Sequence, residues 1–239
     1  MRVMIDFHYS DSWADPGKQR KPKTWEGHDF ATLLKDLHDY TFNVMTALKS
    51  AGITPEWVQI GNETPGGMIY PEGSTSSWPQ LAQLINKGYD AVKAVSPESK
   101  VILHVDQGNN SERFRSWFDA AKANGAKYDV IGLSYYPFWL KGNPDYTLSI
   151  DDLGDNLKDM ATRYGKEVMV VEVGGEDIKV QNTYDMLIAV QKKVKEVPDN
   201  KGLGVFYWEP EGARSWSHYA LSAWGEDGKP TKAMDAFLQ

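Results

Sequence analysis

The sequence contains no cysteine. Disulfides, thiolate-bound zinc and a cysteine nucleophile are therefore excluded from its chemistry. Positive charge is in short supply: 26 lysines and arginines stand against 33 aspartates and glutamates, giving a net charge of -7. Nucleic acid or an anionic membrane surface would meet no long-range attraction. A neutral polymer would meet no such barrier. No apolar run approaches the roughly 18 residues of a membrane span, and no secretory leader is visible. A glycine-rich phosphate turn is also missing: "QIGNETPGG" (59–67) is acidic and lacks the required spacing.

What is present is a repeated alternation. Six short runs rich in apolar and β-branched residues occur at 2–8, 57–61, 101–105, 129–135, 168–173 and 204–209. Each is nearly continuous rather than alternating, as parallel strands covered on both faces are. Helical spacing fills the gaps at 29–50, 78–95, 111–123, 149–164 and 180–196, with a last helix over 231–238. Ser77 and Pro79 suit the start of the second helix, and Gly125 and Gly165 stand where helices should stop. The order is βα repeated six times in 239 residues, which suits one large domain.

Both a doubly wound sheet and a barrel fit that order. Chemically capable residues end several different strands: Asp6 and His8, Asn62 and Glu63, His104 and Asp106, Tyr135 and Tyr136, Glu172, then Trp208 and Glu209. A TIM barrel gathers all such ends at one face, so the expected fold is an α/β (β/α)₈ barrel. A barrel needs eight strands and six are visible. The expectation is therefore one barrel domain over 1–239 whose first two βα units precede Met1.

Glu63 and Glu172 end two of these strands, and in a closed barrel they would face one another. Two carboxylates across a polar cleft suit glycosidic bond hydrolysis. One must stay protonated to give a proton to the leaving oxygen, and the other must stay ionised, so their surroundings must separate their pKa values. A strand-end glutamate is commonly a plain surface acid. Against that, Glu172 emerges from the buried run "VMVV", and Glu63 sits beside an amide and a glycine-rich turn. His8 and His104, near Asp6 and Asp106, leave three readings open: metal ligands, sugar-binding groups, or buried structural histidines. Neither belongs to an H-x-H or H-E-x-x-H pattern. Nine tryptophans and twelve tyrosines offer faces for stacking on sugar rings. Trp208, Trp139, Trp13 and Trp216 lie in strand-end loops and are the candidates. Trp57, Trp117 and Phe118 read as packing, and His28 and His38 as surface residues of the first helix.

Five motifs carry a family resemblance: "DFHYSDSWADPGKQ" (6–19), "VQIGNETPGGM" (58–68), "VIGLSYYPFW" (130–139), "VMVVEV" (168–173) and "GVFYWEPEG" (204–212). In this order they resemble glycoside hydrolase family 53, the endo-β-1,4-galactanases of the retaining (β/α)₈ clan. The resemblance makes the visible strands barrel strands 3–8. It implies Glu63 as acid/base, Glu172 as nucleophile and Asn62 as the partner of the sugar 2-hydroxyl. A tyrosine would hold the nucleophile, either Tyr135 or Tyr136. Asp6, His8, His104, Asp106, Trp13, Trp139 and Trp208 would line the substrate site. The family's arginine on barrel strand 2 has no counterpart among these residues. The short acidic loop "VGGEDIKVQNTYD" departs from the family pattern, which puts subsite number in question. Its Glu176 and Asp177 lack the spacing of a calcium loop, so neither a metal nor any other cofactor is expected. The implied partner is a β-1,4-galactan and the implied location extracytoplasmic. A clan member acting on another β-linked polysaccharide, or a non-catalytic galactan-binding protein, are the alternatives.

Overall fold

Helices form where caps and apolar spacing coincide. The computed structural model describes residues 1–239, with strands β1 (Met4–Phe7), β2 (Trp57–Ile60), β3 (Lys100–Val105), β4 (Val130–Tyr135), β5 (Glu167–Val173) and β6 (Gly202–Tyr207). Between them run α1 (Phe30–Ser50), α2 (Trp78–Val95), α3 (Ser111–Ala123), α4 (Ile150–Tyr164) and α5 (Val180–Lys195). The strand order is β1-β2-β3-β4-β5-β6, and the β1–β2, β2–β3 and β5–β6 pairs are parallel. All six expected strands and the five longer helices are therefore present. The expected last helix is instead a 3₁₀ helix, Lys232–Leu238, and a one-turn helix, α6 (Arg214–Ser217), was not foreseen.

The chain folds as two compact units, residues 1–106 with 115–131 and residues 107–114 with 132–239. In the first, Asp29 caps α1 by accepting from the Thr32 N–H at 2.8 Å, satisfying one of the orphan donors of a helix start. His28 thus precedes the helix, and its ring bonds Asp36. At α2, Pro79 occupies the first turn as expected, but the Ser77 side chain makes no cap bond. Strands β2 and β3 bury Val58, Ile60, Val101, Ile102, Leu103 and Val105 completely. Gly88 lets α2 lie close to β2, since a Cβ there would stand 2.8 Å from Ile60 Cγ2. Beside β1, Phe7, Tyr9, Trp25 and Tyr40 form an aromatic cluster in stacked and edge-on pairs, the geometry ring quadrupoles favour. Trp57, Trp117 and Phe118 are buried, consistent with their reading as packing residues.

In the second unit, β5 buries Val168, Val170 and Val173, and α4 and α5 contribute Leu153, Leu157, Leu187 and Val190. Gly165 ends α4 in the left-handed conformation, φ 67°, where a side chain is strained. The β5–β6 register shifts twice between Val168↔Gly202 and Val173↔Tyr207. Such irregularities bend a strand and re-aim its side chains near functional ends.

Candidate active site

In the first unit the site is built around a turn. After β2 the chain leaves extended geometry at once: Gly61 has φ 79° and Glu63 φ 42°. A non-glycine residue in that region costs on the order of 1–3 kcal/mol and must be held by its surroundings. The hold is visible on every side. Gly61 N–H donates to Phe7 O at 3.0 Å and Thr64 N–H to His104 O at 2.9 Å. Trp117 Nε1 donates to Thr64 O at 2.7 Å, so this buried tryptophan packs and also anchors the turn. Gln19, only 2% exposed, brings its amide nitrogen to Asn62 O at 2.8 Å and Glu63 O at 3.0 Å.

The polar residues expected from the strand ends meet here. Asp6 and Gln59 are cross-strand partners, and Gln59 Nε2 donates to Asp6 Oδ1 at 2.7 Å and to Asn62 Oδ1 at 3.1 Å. Asn62 Nδ2 donates to Ala14 O at 2.8 Å. That bond fixes the amide orientation, so its oxygen faces His104 Nδ1 at 2.9 Å, and the Glu63 N–H points at the same ring nitrogen at 3.4 Å. His8 is fixed similarly. Its Nδ1 accepts the Ala14 N–H at 2.7 Å, leaving Nε2–H to donate to Asp6 Oδ2 at 3.0 Å. A neutral imidazole of that tautomer satisfies both bonds. Burial raises the Asp6 carboxyl, while the His8 contact opposes the rise. Asp106 is also buried.

One expectation needs correcting. His104 is completely buried, so it cannot touch a sugar, and its ring meets the Asn62 amide instead. Burial, and secondarily His8, push its imidazole down to about 3. A neutral ring at this position carries a pH consequence. Between about pH 6.5 and 3 an unfolded His104 is protonated and the folded one is not. Stability should therefore fall as pH drops through that window, by up to about 1.4 kcal/mol per pH unit. Asp6, shifted upward, contributes in the opposite sense above its unfolded value, because there the folded state binds the proton. Urea unfolding at pH 7 and pH 5 should show the acid loss. In His104→Gln the loss should be smaller, and an unchanged acid slope in that variant would refute the assignment.

The second unit holds the other carboxylate. Glu172 is the penultimate residue of β5 and is 8% exposed. Tyr136 Oη donates to Glu172 Oε2 at 3.0 Å. This decides between the two tyrosines, and the reason is the strand period of two. Ser134 and Tyr136 share one face of β4 and its extension. Tyr135 takes the other, where its hydroxyl meets Ser149 Oγ at 2.9 Å and Tyr146 O at 3.2 Å. Tyr135 is wholly buried, so its expected place at the substrate site is withdrawn. Tyr219 hydrogen-bonds Tyr136, and burial raises its phenol well above the ordinary range, with Tyr207, Glu172 and Glu209 adding to the rise. It stays protonated and can donate to Tyr136. Tyr207, raised by burial to about 12, donates to Leu221 O at 2.7 Å and accepts from Gly175 N–H at 3.2 Å, fixing the chain just after β5.

Several expected aromatics are open to solvent. Trp13, Trp139 and Trp216 are more than half exposed and Trp208 is 38% exposed. Lys18 Nζ lies 4.8 Å over the Trp13 ring, and Phe138 meets Trp139 edge-on. Arg214 forms a forked pair with Asp177 at 2.6 and 2.9 Å, tying the loop after β6 to the loop after β5. Sequence reasoning missed Gln59, Gln19, Tyr219 and Tyr207. Gln59 alone gave a signal, as an amide inside an otherwise apolar strand.

Six strands in the order β1-β2-β3-β4-β5-β6, alternating with helices, make the fold a barrel of the glycoside hydrolase class. The fold is shared with a fungal β-1,4-galactanase structure at TM-score 0.88 and 29% identity, covering 100% of this chain and 78% of that one. The TIM-barrel expectation thus holds over the doubly wound alternative. The family model for glycosyl hydrolase family 53 matches residues 1–237, and the chain belongs to that family. An arabinogalactan endo-beta-1,4-galactanase of Humicola insolens is 32% identical over 91% of this chain and 69% of its own length. An endo-beta-1,4-galactanase of Bacillus subtilis is 35% identical over 88% of this chain, which spans about half (51%) of that relative.

Proposed function

We propose that this chain is a retaining endo-β-1,4-galactanase, with residues 1–239 acting as one catalytic domain. The observation that carries the reading is the phenol of Tyr136 on the buried carboxylate of Glu172. A hydrogen bond donated to the charged form favours ionisation, and an ionised carboxylate is what a nucleophile requires. Membership of the galactanase family supports the substrate.

In the first step a carboxylate oxygen of Glu172 attacks the anomeric carbon, and Glu63 gives its proton to the departing glycosidic oxygen. A galactosyl ester on Glu172 forms as the glycosidic bond breaks. In the second step Glu63, now a carboxylate, takes a proton from water, whose oxygen displaces Glu172 from the anomeric carbon. Two inversions give net retention, which requires the two carboxyls to stand roughly 5–5.5 Å apart. Asn62, its oxygen occupied by Gln59 and His104, has one amide hydrogen left for the sugar 2-hydroxyl. Such contacts strengthen as the oxocarbenium-like transition state forms. Trp208, Trp139 and Trp13 supply stacking faces for successive galactose rings, with His8, Asp6 and Asp106 at the polar wall. No helix is long and apolar enough to cross a membrane. Because a polysaccharide does not pass a bilayer, the reading places the enzyme outside the cytoplasm, in galactan and pectin breakdown.

Incubation with β-1,4-galactan should release new reducing ends, and proton NMR during the first turnovers should show the β-anomer before mutarotation. An initial α-anomer would sink the retaining mechanism. Release from mannan or a glucan but not from galactan would favour the rival clan activity. Galactan binding without cleavage would favour a binding protein.

A further inference from the structure

Gln19 is absent from the mechanism above, yet its surroundings are unusual. The side chain is 2% exposed and reaches three backbone carbonyls: Asp15 O at 3.0 Å, Asn62 O at 2.8 Å and Glu63 O at 3.0 Å. A primary amide has two N–H groups, so three acceptors share two protons. Two of those acceptors are the consecutive carbonyls of the residues that carry the amide and the acid. Glu63 lies between them at φ 42°, a conformation that persists only where the surroundings impose it.

The backbone of Gln19 is fixed independently. Its carbonyl accepts from Tyr70 N–H at 2.7 Å, and Arg20 bridges to Tyr70. The loop before it is closed by paired bonds between Asp15 and Lys18, and by Gly17 N–H on Asp15 Oδ1 at 2.8 Å. Ala14, in the same loop, holds the Asn62 amide and the His8 ring. The loop over 14–20 therefore grips the Asn62–Glu63 turn through the Asn62 side chain, by Ala14, and through the backbone, by Gln19.

We propose that Gln19 is a positioning residue for Glu63, setting the backbone from which the acid/base side chain projects. This rests on the reading of Glu63 as acid/base given above. Removing the amide frees two carbonyls to rotate and lets φ of Glu63 relax. A displacement of the order of 1 Å at a reacting group can cost about 100-fold in rate.

The test is leaving-group dependence. The dinitrophenolate of a 2,4-dinitrophenyl β-1,4-galactobioside departs without a proton, so kcat/KM for that substrate does not need the acid, whereas cleavage of galactan does. In Gln19→Met, which keeps length and loses both donors, kcat/KM on galactan should fall by about 10- to 100-fold. On the dinitrophenyl substrate it should change less than about threefold. NMR titration of the Glu63 carboxyl, which needs no turnover, should show a midpoint displaced from that of the parent. Gln19→Asn, which keeps the donors on a shorter arm, should fall between parent and Gln19→Met on both readouts and guards against a variant that fails to fold. Equal losses on the two substrates, or an unmoved Glu63 titration, would overturn the proposal. Glu63→Ala run in parallel separates the two ideas. If it too loses both substrates equally, the acid/base reading itself falls; if it loses only galactan, a failure in Gln19→Met belongs to Gln19 alone.

Discussion

Glu172→Gln is expected to abolish galactan cleavage, lowering kcat by on the order of 10⁴-fold or more. The amide has the size of the carboxylate but cannot attack an anomeric carbon. The fold should tolerate it. Glu172 is buried near the end of β5, where an ionised group carries a desolvation cost that a neutral amide escapes. The Tyr136 hydroxyl can still donate, now to an amide oxygen. Thermal unfolding should accordingly show a melting temperature equal to or above that of the parent, and galactan should still bind. Reducing-sugar release and a circular dichroism melt on the same preparation decide the matter. Activity within tenfold of the parent would remove Glu172 as nucleophile. A loss of activity accompanied by unfolding would make it a structural carboxylate.

The fold was largely legible because its signals are local. Parallel strands buried on both faces read as continuous apolar runs, and "VILHV" and "VMVVEV" became β3 and β5. Helix α3 falls on the expected residues because its apolar spacing and the stop at Gly125 agree. The end of the chain reads less well: 231–238 carries a helical pattern but settles as a 3₁₀ helix, and spacing over two turns does not separate i→i+3 from i→i+4 bonding. The candidate site was legible in its residue types and not in its wiring. Asp6, His8, Asn62 and His104 were picked out as polar groups at strand ends. That His104 lies wholly behind Asn62 depends on packing from other segments, which no single run encodes. The choice between Tyr135 and Tyr136 turned on strand phase, and a shift of one residue in where β4 starts reverses it. Gln19 left no trace, because its importance lies in three carbonyls that the folded loop brings within reach.

Glu63→Ala should cut kcat/KM on galactan by about 10²- to 10⁴-fold, the usual contribution of a general acid. Its signature is chemical rather than numerical. With a 2,4-dinitrophenyl β-1,4-galactobioside the galactobiosyl ester on Glu172 still forms, because that leaving group needs no proton. The ester then accumulates, since no base remains to activate water, and KM falls together with kcat. Azide is an anion that needs no deprotonation. Admitted to the space the side chain vacates, it should attack the anomeric carbon, release Glu172 and restore turnover, giving a galactobiosyl azide of β configuration. Failure of azide to raise kcat, or an α-azide, would contradict the scheme. The same experiment on Glu209→Ala is the control that gives the result its meaning. Glu209 also follows a strand and also has positive φ, at 45°, but it is exposed. Glu63 differs in having its carbonyl and that of Asn62 bonded by one buried amide, and in following a residue locked to His104 and Gln59. A group that must meet the same oxygen in each turnover requires that fixity. Rescue by azide in Glu63→Ala and none in Glu209→Ala is therefore the expected pair of results.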